Sequence, residues 1–247
     1  MFLNRPESFS ILGVSVHNIA RSQVLSLAED FVRSGTPHHL VTVNPEYLVM
    51  AQSNRKFHDV LNQADLALID GAGLAWGAWI LGYGKPQRLP GVDVVDWLSG
   101  LATDRGLRVF FLGAMPGVAE TAAAVLLRKY PKLNVAGTYA GSPNPSDEQT
   151  IIERIEAAKP HLLFVAFGAP AQDLWIHRMQ PRLQIPVAMG VGGTFDYLSG
   201  TVQRAPRWMQ SLGLEWCYRL FREPWRWRRM LRLPYFVWLI VLQRLRR

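Results

Sequence analysis

The chain has one cysteine, Cys217, among its 247 residues. A lone cysteine excludes an intramolecular disulfide framework and a cysteine-cluster zinc site, and it is typical of proteins from a reducing compartment. The sequence also has no uninterrupted run of about 18 apolar residues, the length that a membrane-crossing helix needs. The first ten residues lack the cationic and apolar regions of a secretory signal. We therefore expect a cytoplasmic protein without a simple membrane-spanning helix.

Several motifs that carry common enzyme chemistry are missing. The six histidines show no H-x-x-x-H spacing, and no D-x-D pair is present to hold a divalent ion on a diphosphate. The sequence has no G-x-S-x-G nucleophile elbow. Residues 112–117, LGAMPG, lack the G-x-G-x-x-G spacing, and no acidic residue ends the strand predicted after them, which disfavours a dinucleotide-dependent dehydrogenase. We expect a protein that uses neither a metal ion nor a cofactor.

The composition and patterning are those of a folded α/β protein. Hydrophobic residues make up 49% of the chain and charged residues 19%, which is enough apolar material for a sizeable core. Amphipathic helical stretches, such as residues 92–106 and 116–130, alternate with short apolar runs. The runs that we predict to be buried strands are residues 11–16, 39–43, 65–69, 108–113, 133–139, 161–168 and 186–192. This alternation predicts a mostly parallel, Rossmann-like sheet flanked by helices.

Two irregular segments interrupt this pattern. Residues 83–91 are long enough to influence access to a site. Residues 141–147 are rich in Gly, Pro, Asn and Ser, which predicts a loop that ends where a helix begins, at Asp147.

Positive charge is concentrated at the C-terminus. The formal charge of the chain is +8, but residues 201–247 carry 11 Arg, no Lys and 2 Glu, a local charge of +9 that leaves −1 for the rest. Five of the nine Trp also lie there. We therefore divide the chain into a near-neutral globular body, residues 1–204, and a basic, Trp-rich helical appendage, residues 205–247. The appendage is expected to have an anionic partner: membrane lipid, a phosphorylated substrate or nucleic acid.

The appendage has the pattern of an amphipathic surface. At about 100° per residue, four arginines fall on one side of a helix, namely Arg219, Arg222, Arg226 and Arg229. Residues 233–242 form an apolar run flanked by arginines, with about half the length of a membrane span. No pattern of a nucleic-acid reader accompanies it, so we expect no nucleic-acid partner. Because each Arg near an anionic leaflet contributes ~1 kcal/mol, docking on the inner surface of the cell membrane is favoured over packing of the apolar side on the body or on another subunit.

Polar residues and glycines follow several of the predicted strands. In a parallel sheet, ligands bind beyond the carboxyl ends of the strands, where helix N-termini present free N–H groups. Glycine at these positions lets a diphosphate approach the backbone closely. The candidates are Asn44, Glu46, Asp70, Gly71, Gly73, Gly113, Gly117, Gly168, Gln172, Asp173, Gly192, Gly193, Thr194 and Asp196. Their types predict a nucleotide site.

Each of these candidates also has an alternative interpretation, in which it has a structural role only. Asp70 directly follows a predicted strand, so its ionised carboxylate is able to accept a proton from a hydroxyl nucleophile. An N-cap on the next helix is the commoner role of such an Asp. The alternatives for the others are turn backbone for Asn44 and Gln172, a tight turn for Gly113 and Gly117, and a helix N-cap for Thr194 and Asp196.

The motifs taken together resemble the WecG/TagA/CpsF glycosyltransferase family, over about residues 10–230. The blocks that carry the resemblance are TVNPEY, ADLALIDGAGLAW, the R-x-x-G-x-D of Arg88 to Asp93, FLGAMPG, VAFGAPAQDLWI and the long stretch from MGVGGTFDYLSG through REPWRWRRM. The resemblance implies an inverting, metal-independent transfer of a sugar from a UDP-sugar to a saccharide on a polyprenyl diphosphate at the inner membrane surface. Many members of the family add N-acetylmannosamine, or its uronic acid, to GlcNAc-diphosphate-undecaprenol.

The resemblance also implies roles for individual residues. Asp70 matches the proposed base of the family. The other implied positions are Thr42 and Asn44 in the acceptor-side motif, Arg88 and Gln172 in the substrate cleft, Gly192, Gly193, Thr194 and Asp196 in the GVGGTFD block, and Arg219, Arg226 and Arg229 closing over the active site. One departure is GAPAQD where the family often has GAPKQE, so that a lysine is absent at Ala171 and the acid at Asp173 is shorter. The alternative is a membrane-attached nucleotide-sugar-binding protein without catalysis; the sequence leaves open a homo-oligomer and the identity of the sugar.

Overall fold

A computed structural model describes residues 6–246, apart from the side chains of Arg226 and Arg228. Within that part of the chain the strands, β1–β8 in order, are Ser8–Ile11, Val14–His17, His38–Val43, Leu66–Ile69, Arg108–Gly113, Asn134–Tyr139, Leu162–Ala166 and Val187–Gly190. The α-helices, α1–α13 in order, are Arg21–Ser34, Pro45–Ser53, Arg55–Gln63, Ala72–Ile80, Gly91–Arg105, Val118–Lys129, Pro145–Ala158, Ala171–Leu183, Thr194–Ser199, Arg207–Ser211, Glu215–Arg222, Trp227–Met230 and Arg232–Leu245. A 3₁₀ turn, Pro224–Arg226, connects α11 to α12.

The described strands form one sheet, in the order β1-β2-β4-β3-β8-β7-β5-β6. Neighbouring strands are parallel except for β1 and β2. Strands such as β4 and β7 are buried along their whole length, as expected of a sheet that helices cover on both faces. The prediction of a mostly parallel α/β sheet flanked by helices is confirmed. Its central strands β4, β3, β8 and β7 end side by side at one edge, which positions the residues that follow them.

The prediction of a single strand over residues 11–16 is wrong. The chain turns back at Leu12 and Gly13, whose φ angles are 51° and 82°. As a result β1 and β2 pair antiparallel, with Ile11 opposite Val14. Glycine in the left-handed region permits such a tight hairpin at little steric cost, and the apolar residues around it hide the turn from a pattern search.

The helix expected to begin at Asp147 begins two residues earlier, at Pro145. Proline suits the first position of a helix because its missing N–H would have no partner there. Asp147 then lies in the first turn, where its negative charge stabilises the positive end of the helix dipole.

The last helix, α13, packs on the body through one side only. Its Phe236 and Ile240 are buried in the same hydrophobic core as residues of α2 and α4. They lie against Gly77 of α4, where an added Cβ would approach Phe236 to 3.0 Å. The outer side of α13 is exposed, and its large apolar residues are Tyr235, Val237, Trp238, Val241 and Leu245. Neither α13 nor any other helix within residues 6–246 is long and apolar enough to cross a membrane.

Because α13 has a buried and an exposed side, shortening a side chain to alanine should affect stability differently on each side. We expect Ile240→Ala to lower the free energy of unfolding by about 3 kcal/mol, because it leaves a cavity against α4. Val241→Ala, on the exposed side of the same helix, should change it by less than about 0.5 kcal/mol. Urea denaturation of both variants and the parent chain measures the difference. Equal effects would show that α13 does not pack on the body in solution.

Candidate active site

A cleft of about 950 Å³ opens at the carboxyl ends of the central strands. Its floor and walls come from the body, and residues of α11–α13 line its other side. The predicted site residues that line it are Thr42, Asn44, Asp70, Arg88, Gln172, Gly192, Gly193, Thr194, Asp196, Arg219 and Arg229. The side chain of Arg226 lies outside the described part of the structure. Residues far apart in the sequence are therefore brought together in one cavity.

Asp70 lies at the end of β4, in the floor of the cleft. Its backbone N–H donates to the carbonyl of Val43 at 2.7 Å, which extends the pairing of β4 with β3. Its carboxylate accepts hydrogen bonds from the backbone N–H groups of Gly71 and Gly91. Gly91 is the first residue of α5, whereas the N-cap of α4 is Gly71. Asp70 is therefore not the N-cap of the helix that follows it, and its charge faces the N-terminus of a different helix.

Burial raises the pKa of Asp70 from 3.8 to about 6, and the negative charge of Glu215 adds to this shift. The N–H of Gly91 and the positive charge of Arg88 act in the opposite direction. A carboxyl group with a pKa near 6 is mostly ionised at neutral pH but holds a proton far more readily than an exposed Asp. These properties suit a general base that works near neutrality.

The C-terminal appendage, residues 205–247, is called the tail. Glu215, the first residue of α11, connects the tail to the body beside Asp70. Its two carboxylate oxygens accept hydrogen bonds from Arg88 Nη2 at 3.3 Å and Arg204 Nε at 3.2 Å. Arg204 in turn makes a two-pronged ion pair with Asp93, at 2.6 and 3.2 Å. Arg88 Nη1 also donates to the carbonyl of Gln210 at 2.9 Å. Opposite charges thus alternate across the junction of tail and body.

Sequence reasoning missed both Glu215 and Arg204. One signal was available for Glu215, because it is one of two acidic residues among 11 arginines in residues 201–247. A carboxylate in so basic a segment indicates a local ion pair. The R-x-x-G-x-D motif is now explained as well, because its Arg88 binds Glu215, its Gly91 N–H binds Asp70, and its Asp93 binds Arg204.

Gln172 and Asn44 hold the walls of the cleft by contacts to backbone. The Oε1 atom of the buried Gln172 accepts from the N–H groups of Gly168 at 3.1 Å and Gly192 at 2.9 Å, which ties the loops after β7 and β8 together. Its Nε2 donates to the Tyr47 hydroxyl at 2.8 Å. Asn44 Oδ1 accepts from the Tyr47 N–H at 3.1 Å and caps α2. Asn44 and Gln172 therefore do bond to backbone groups of turns and caps, as their structural interpretation predicts.

Asp173 lies behind the cleft and not in it. It is fully buried, and its Oδ2 accepts a hydrogen bond from the Tyr47 hydroxyl at 2.9 Å. Burial and the charge of Asp173 raise the pKa of Tyr47 well above its usual value, so the phenol stays a donor. Gly190 is needed here because a Cβ at that position would collide with Asp173 Oδ1. The acid of GAPAQD, Asp173, therefore lies in the core and does not line the cleft.

The glycine-rich turn after β8 forms the opposite wall. Gly192 has a φ of 50°, and Gly193 is the N-cap of α9, so Thr194 is its first residue and not its cap. The guanidinium of Arg219 lies close to this turn, since a Cβ on Gly193 would be 3.1 Å from Arg219 Nη2. Arg219 also donates from Nε to Glu223 at 2.7 Å and lies 5.0 Å from the ring centre of Tyr197. The positive charge of Arg219 is thus held beside the turn that contains Gly192 and Gly193.

Glu46, in the first turn of α2, binds two arginines of the tail at the rim of the cleft. Its carboxylate accepts from Arg229 Nε at 2.8 Å and Nη2 at 2.7 Å, and from Arg232 Nη1 at 2.6 Å. Burial opposes ionisation, but the bonds from Arg229 hold the pKa of Glu46 below its usual value. The same pairing raises the pKa of Arg229. The ion pairs fix α12 and α13 over the cleft.

In the cleft, the buried carboxylate of Asp70 and the acidic residues Glu46, Asp196 and Glu215 lie together with several positive groups. Among the side chains that the structure describes, five arginines line the cleft, namely Arg88, Arg204, Arg219, Arg229 and Arg232. Among the residues that the structure describes, no group of three or more His, Cys, Asp or Glu side chains is arranged to hold a metal ion. Chemically, the arrangement is able to bind an anionic ligand and to remove a proton from a hydroxyl group beside it.

Comparison with known proteins gives matches over the cleft and the tail alike. The model of the family described as "Glycosyl transferase WecG/TagA/CpsF family" matches residues 9–247. The N-acetylglucosaminyldiphosphoundecaprenol N-acetyl-beta-D-mannosaminyltransferase of Bacillus subtilis (strain 168) is 37% identical over 193 residues, which are 78% of this chain and 75% of that protein. The protein of the same name from Staphylococcus aureus (strain MRSA252) is 32% identical over 232 residues, 93% of this chain and 91% of its own length.

The electrostatics of the cleft predict how one substitution changes the titration of Asp70. In the parent chain, we expect the Asp70 carboxyl to titrate near pH 6 when followed by carbon NMR of selectively labelled aspartate. Glu215→Gln removes a repelling charge and leaves Arg88 with a weaker partner, so the midpoint should fall by roughly half a pH unit or more. Glu156→Gln, an exposed change of the same kind on α7, is the control. An unchanged midpoint in Glu215→Gln would contradict the coupling.

Proposed function

Because the chain belongs to the WecG/TagA/CpsF glycosyl transferase family, we propose that it transfers a sugar from a UDP-sugar to a saccharide carried on a polyprenyl diphosphate in bacterial cell-surface polysaccharide synthesis. The sugar is N-acetylmannosamine or a related hexose. The names of the relatives from B. subtilis and S. aureus support this acceptor class and this sugar. The observation that carries the proposal is the position of Asp70, with its raised pKa, in the same cavity as the Gly192 turn and the arginines.

In the proposed reaction, Asp70 removes the proton from a hydroxyl group of the acceptor sugar. The hydroxyl oxygen attacks the anomeric carbon from the side opposite the leaving group, so the configuration inverts. The bond between that carbon and the diphosphate oxygen breaks, and UDP departs with the electron pair. The pKa near 6 supports this role, because the base must be ionised before the attack and must hold the proton during it.

The negative charge that develops on UDP needs compensation. We assign it to the backbone of the glycine-rich turn at Gly193 and to arginines of the tail, without a metal ion. The proximity of Arg219 to Gly193 supports this assignment, since a phosphate bound to that turn would lie beside the guanidinium. Arg229 and Arg226 are assigned to the diphosphate of the acceptor or to closure of the cleft.

The tail, residues 205–247, is proposed to rest on the inner face of the cell membrane, where the acceptor is anchored. The exposed outer side of α13 and the arginines around it support this, because aromatic and basic residues favour the headgroup region. The body, residues 1–204, then carries the catalytic base. Deletion of the tail would also remove core residues such as Ile240, so substitutions on the outer side of α13 are the better test.

Asp70→Asn tests the catalytic proposal. With UDP-N-acetylmannosamine and a short-chain GlcNAc-diphosphate acceptor, we expect UDP release to fall by about 100-fold or more, because general base catalysis is lost. The parent chain should release UDP only when both substrates are present. Near-normal turnover in the variant would remove Asp70 as the base. Nucleotide-sugar binding by the parent chain without any UDP release would favour a binding protein.

The same variant should be more stable than the parent chain at neutral pH. The folded-state pKa of Asp70 lies above its ordinary value of 3.8, so ionisation costs folding free energy above pH 6. We expect Asp70→Asn to raise the free energy of unfolding at pH 7.5 by on the order of 1–3 kcal/mol. The gain should fade as the pH falls from 6 towards 4, as measured by urea denaturation across that range. Loss of stability in the variant at pH 7.5 would contradict the burial cost.

Membrane docking is tested with substitutions that keep the core intact. Trp238→Glu with Val241→Glu places charge on the outer side of α13, and binding to vesicles that contain phosphatidylglycerol should weaken about tenfold or more. Leu127→Glu on α6, away from the tail, is the control and should bind as the parent chain does. Sedimentation with vesicles measures both. Undiminished binding of the α13 variant would exclude this surface.

A further inference from the structure

A second cavity, of about 550 Å³, lies beside the cleft and is not used by the proposed mechanism. We call it the α4 groove. One side is formed by α4 and the segment after it, and the other by the turn between α10 and α11. The residues that matter for its chemistry are Ala72, Trp76, Trp79, Lys85, Arg88 and Leu212.

The floor of the α4 groove is apolar and open to solvent. Trp76 is 67% exposed, Trp79 57% and Leu212 62%. Exposed large apolar side chains that share one groove usually mark a binding surface, because water contact with them is unfavourable. On α4, residues 72, 76 and 79 lie at i, i+4 and i+7 and form one stripe. At 1.5 Å per residue the stripe runs for about 10 Å, beginning two positions after Asp70.

The α4 groove lies next to the cleft. Ala72, Arg88 and Gly213 line both cavities. Gly213 has a φ of 74°, and a Cβ there would collide with the side chain of Ala72, so only small residues fit at this junction. Arg88 adds positive charge where the two cavities meet, and Lys85 adds positive charge in the groove itself. A ligand that extends from the cleft into the groove therefore has to cross this junction, beside Arg88, before it reaches the tryptophans.

We propose that the α4 groove binds the first isoprene units of the lipid-linked acceptor. The proposal rests on the function proposed above. The acceptor has a sugar, then a diphosphate, then a branched hydrocarbon chain. The protein presents Asp70 in the cleft, then Arg88 where the two cavities meet, then Trp76 and Trp79 in the groove, in the same order. The groove therefore recognises the lipid directly, and this recognition is separate from contact of the tail with the bilayer.

The experiment uses the full chain without membranes and two water-soluble acceptors. Both carry the same GlcNAc-diphosphate, one on a two-carbon alkyl group and one on a farnesyl chain. For the parent chain, we expect a KM at least about tenfold lower for the farnesyl acceptor, from burial of its hydrocarbon. Trp76→Ala with Trp79→Ala should raise that KM to the level of the alkyl acceptor. The kcat and the KM for the alkyl acceptor should not change.

Trp225→Ala is the matched control, because Trp225 is equally exposed but lines neither cavity. It should keep the preference for the farnesyl acceptor. The substituted tryptophans are exposed, so circular dichroism and thermal melting should match the parent chain and exclude a folding defect.

The outcomes separate this proposal from the function on which it rests. If the parent chain transfers sugar to neither acceptor, the proposed function fails. If it transfers to both with equal KM, or if the double variant weakens both acceptors alike, the α4 groove does not bind the prenyl chain. Reduced vesicle binding by the variant with an unchanged farnesyl preference would assign the tryptophans to the bilayer. A dimer lost in the variant, again with an unchanged preference, would assign them to a second copy of the chain.

Discussion

The alternating charges of Asp93, Arg204, Glu215 and Arg88 fix the tail to the body beside Asp70. Charges that leave water are costly unless each has a partner, so this arrangement favours one position of α11 over others. Glu215 and Arg88 act on the pKa of Asp70 in opposite directions. Burial makes the largest contribution to that pKa, and the position of the tail adds to it through Glu215. The tail is part of the electrostatics of the cleft as well as its cover.

The cleft could be predicted from the sequence as far as the geometry of parallel sheets dictates. Residues that directly follow buried strands, such as Asn44, Asp70 and Gly192, must gather at one edge. Their partners could not be predicted in this way. Gln172 ties Gly168 to Gly192 because β7 and β8 are neighbours, and no local pattern encodes which strands are adjacent. The hairpin at Leu12 and Gly13 was hidden as well, because two left-handed residues there interrupt an otherwise apolar run.

For the tail, the sequence pattern could not predict what its apolar side contacts. Its periodic arginines and its apolar run indicated an amphipathic segment, but an apolar side has the same pattern whether it meets protein or lipid. The structure divides that run, with Phe236 and Ile240 in the core and Trp238 and Val241 outside it. The small residue that makes this possible, Gly77, lies far away in the sequence on α4. Glu215 was overlooked because its role depends on Arg88, which comes from the body.

The helix α4 connects three regions of the molecule, namely the end of β4, the helix α13 and the α4 groove. It begins two residues after the carboxylate at the end of β4, receives α13 on one side at Gly77, and carries the exposed tryptophans on another. Its nine residues form a stiff rod of about 14 Å. Because α4 contacts all three regions, a displacement of α13 against the body would also displace the helix that begins beside Asp70.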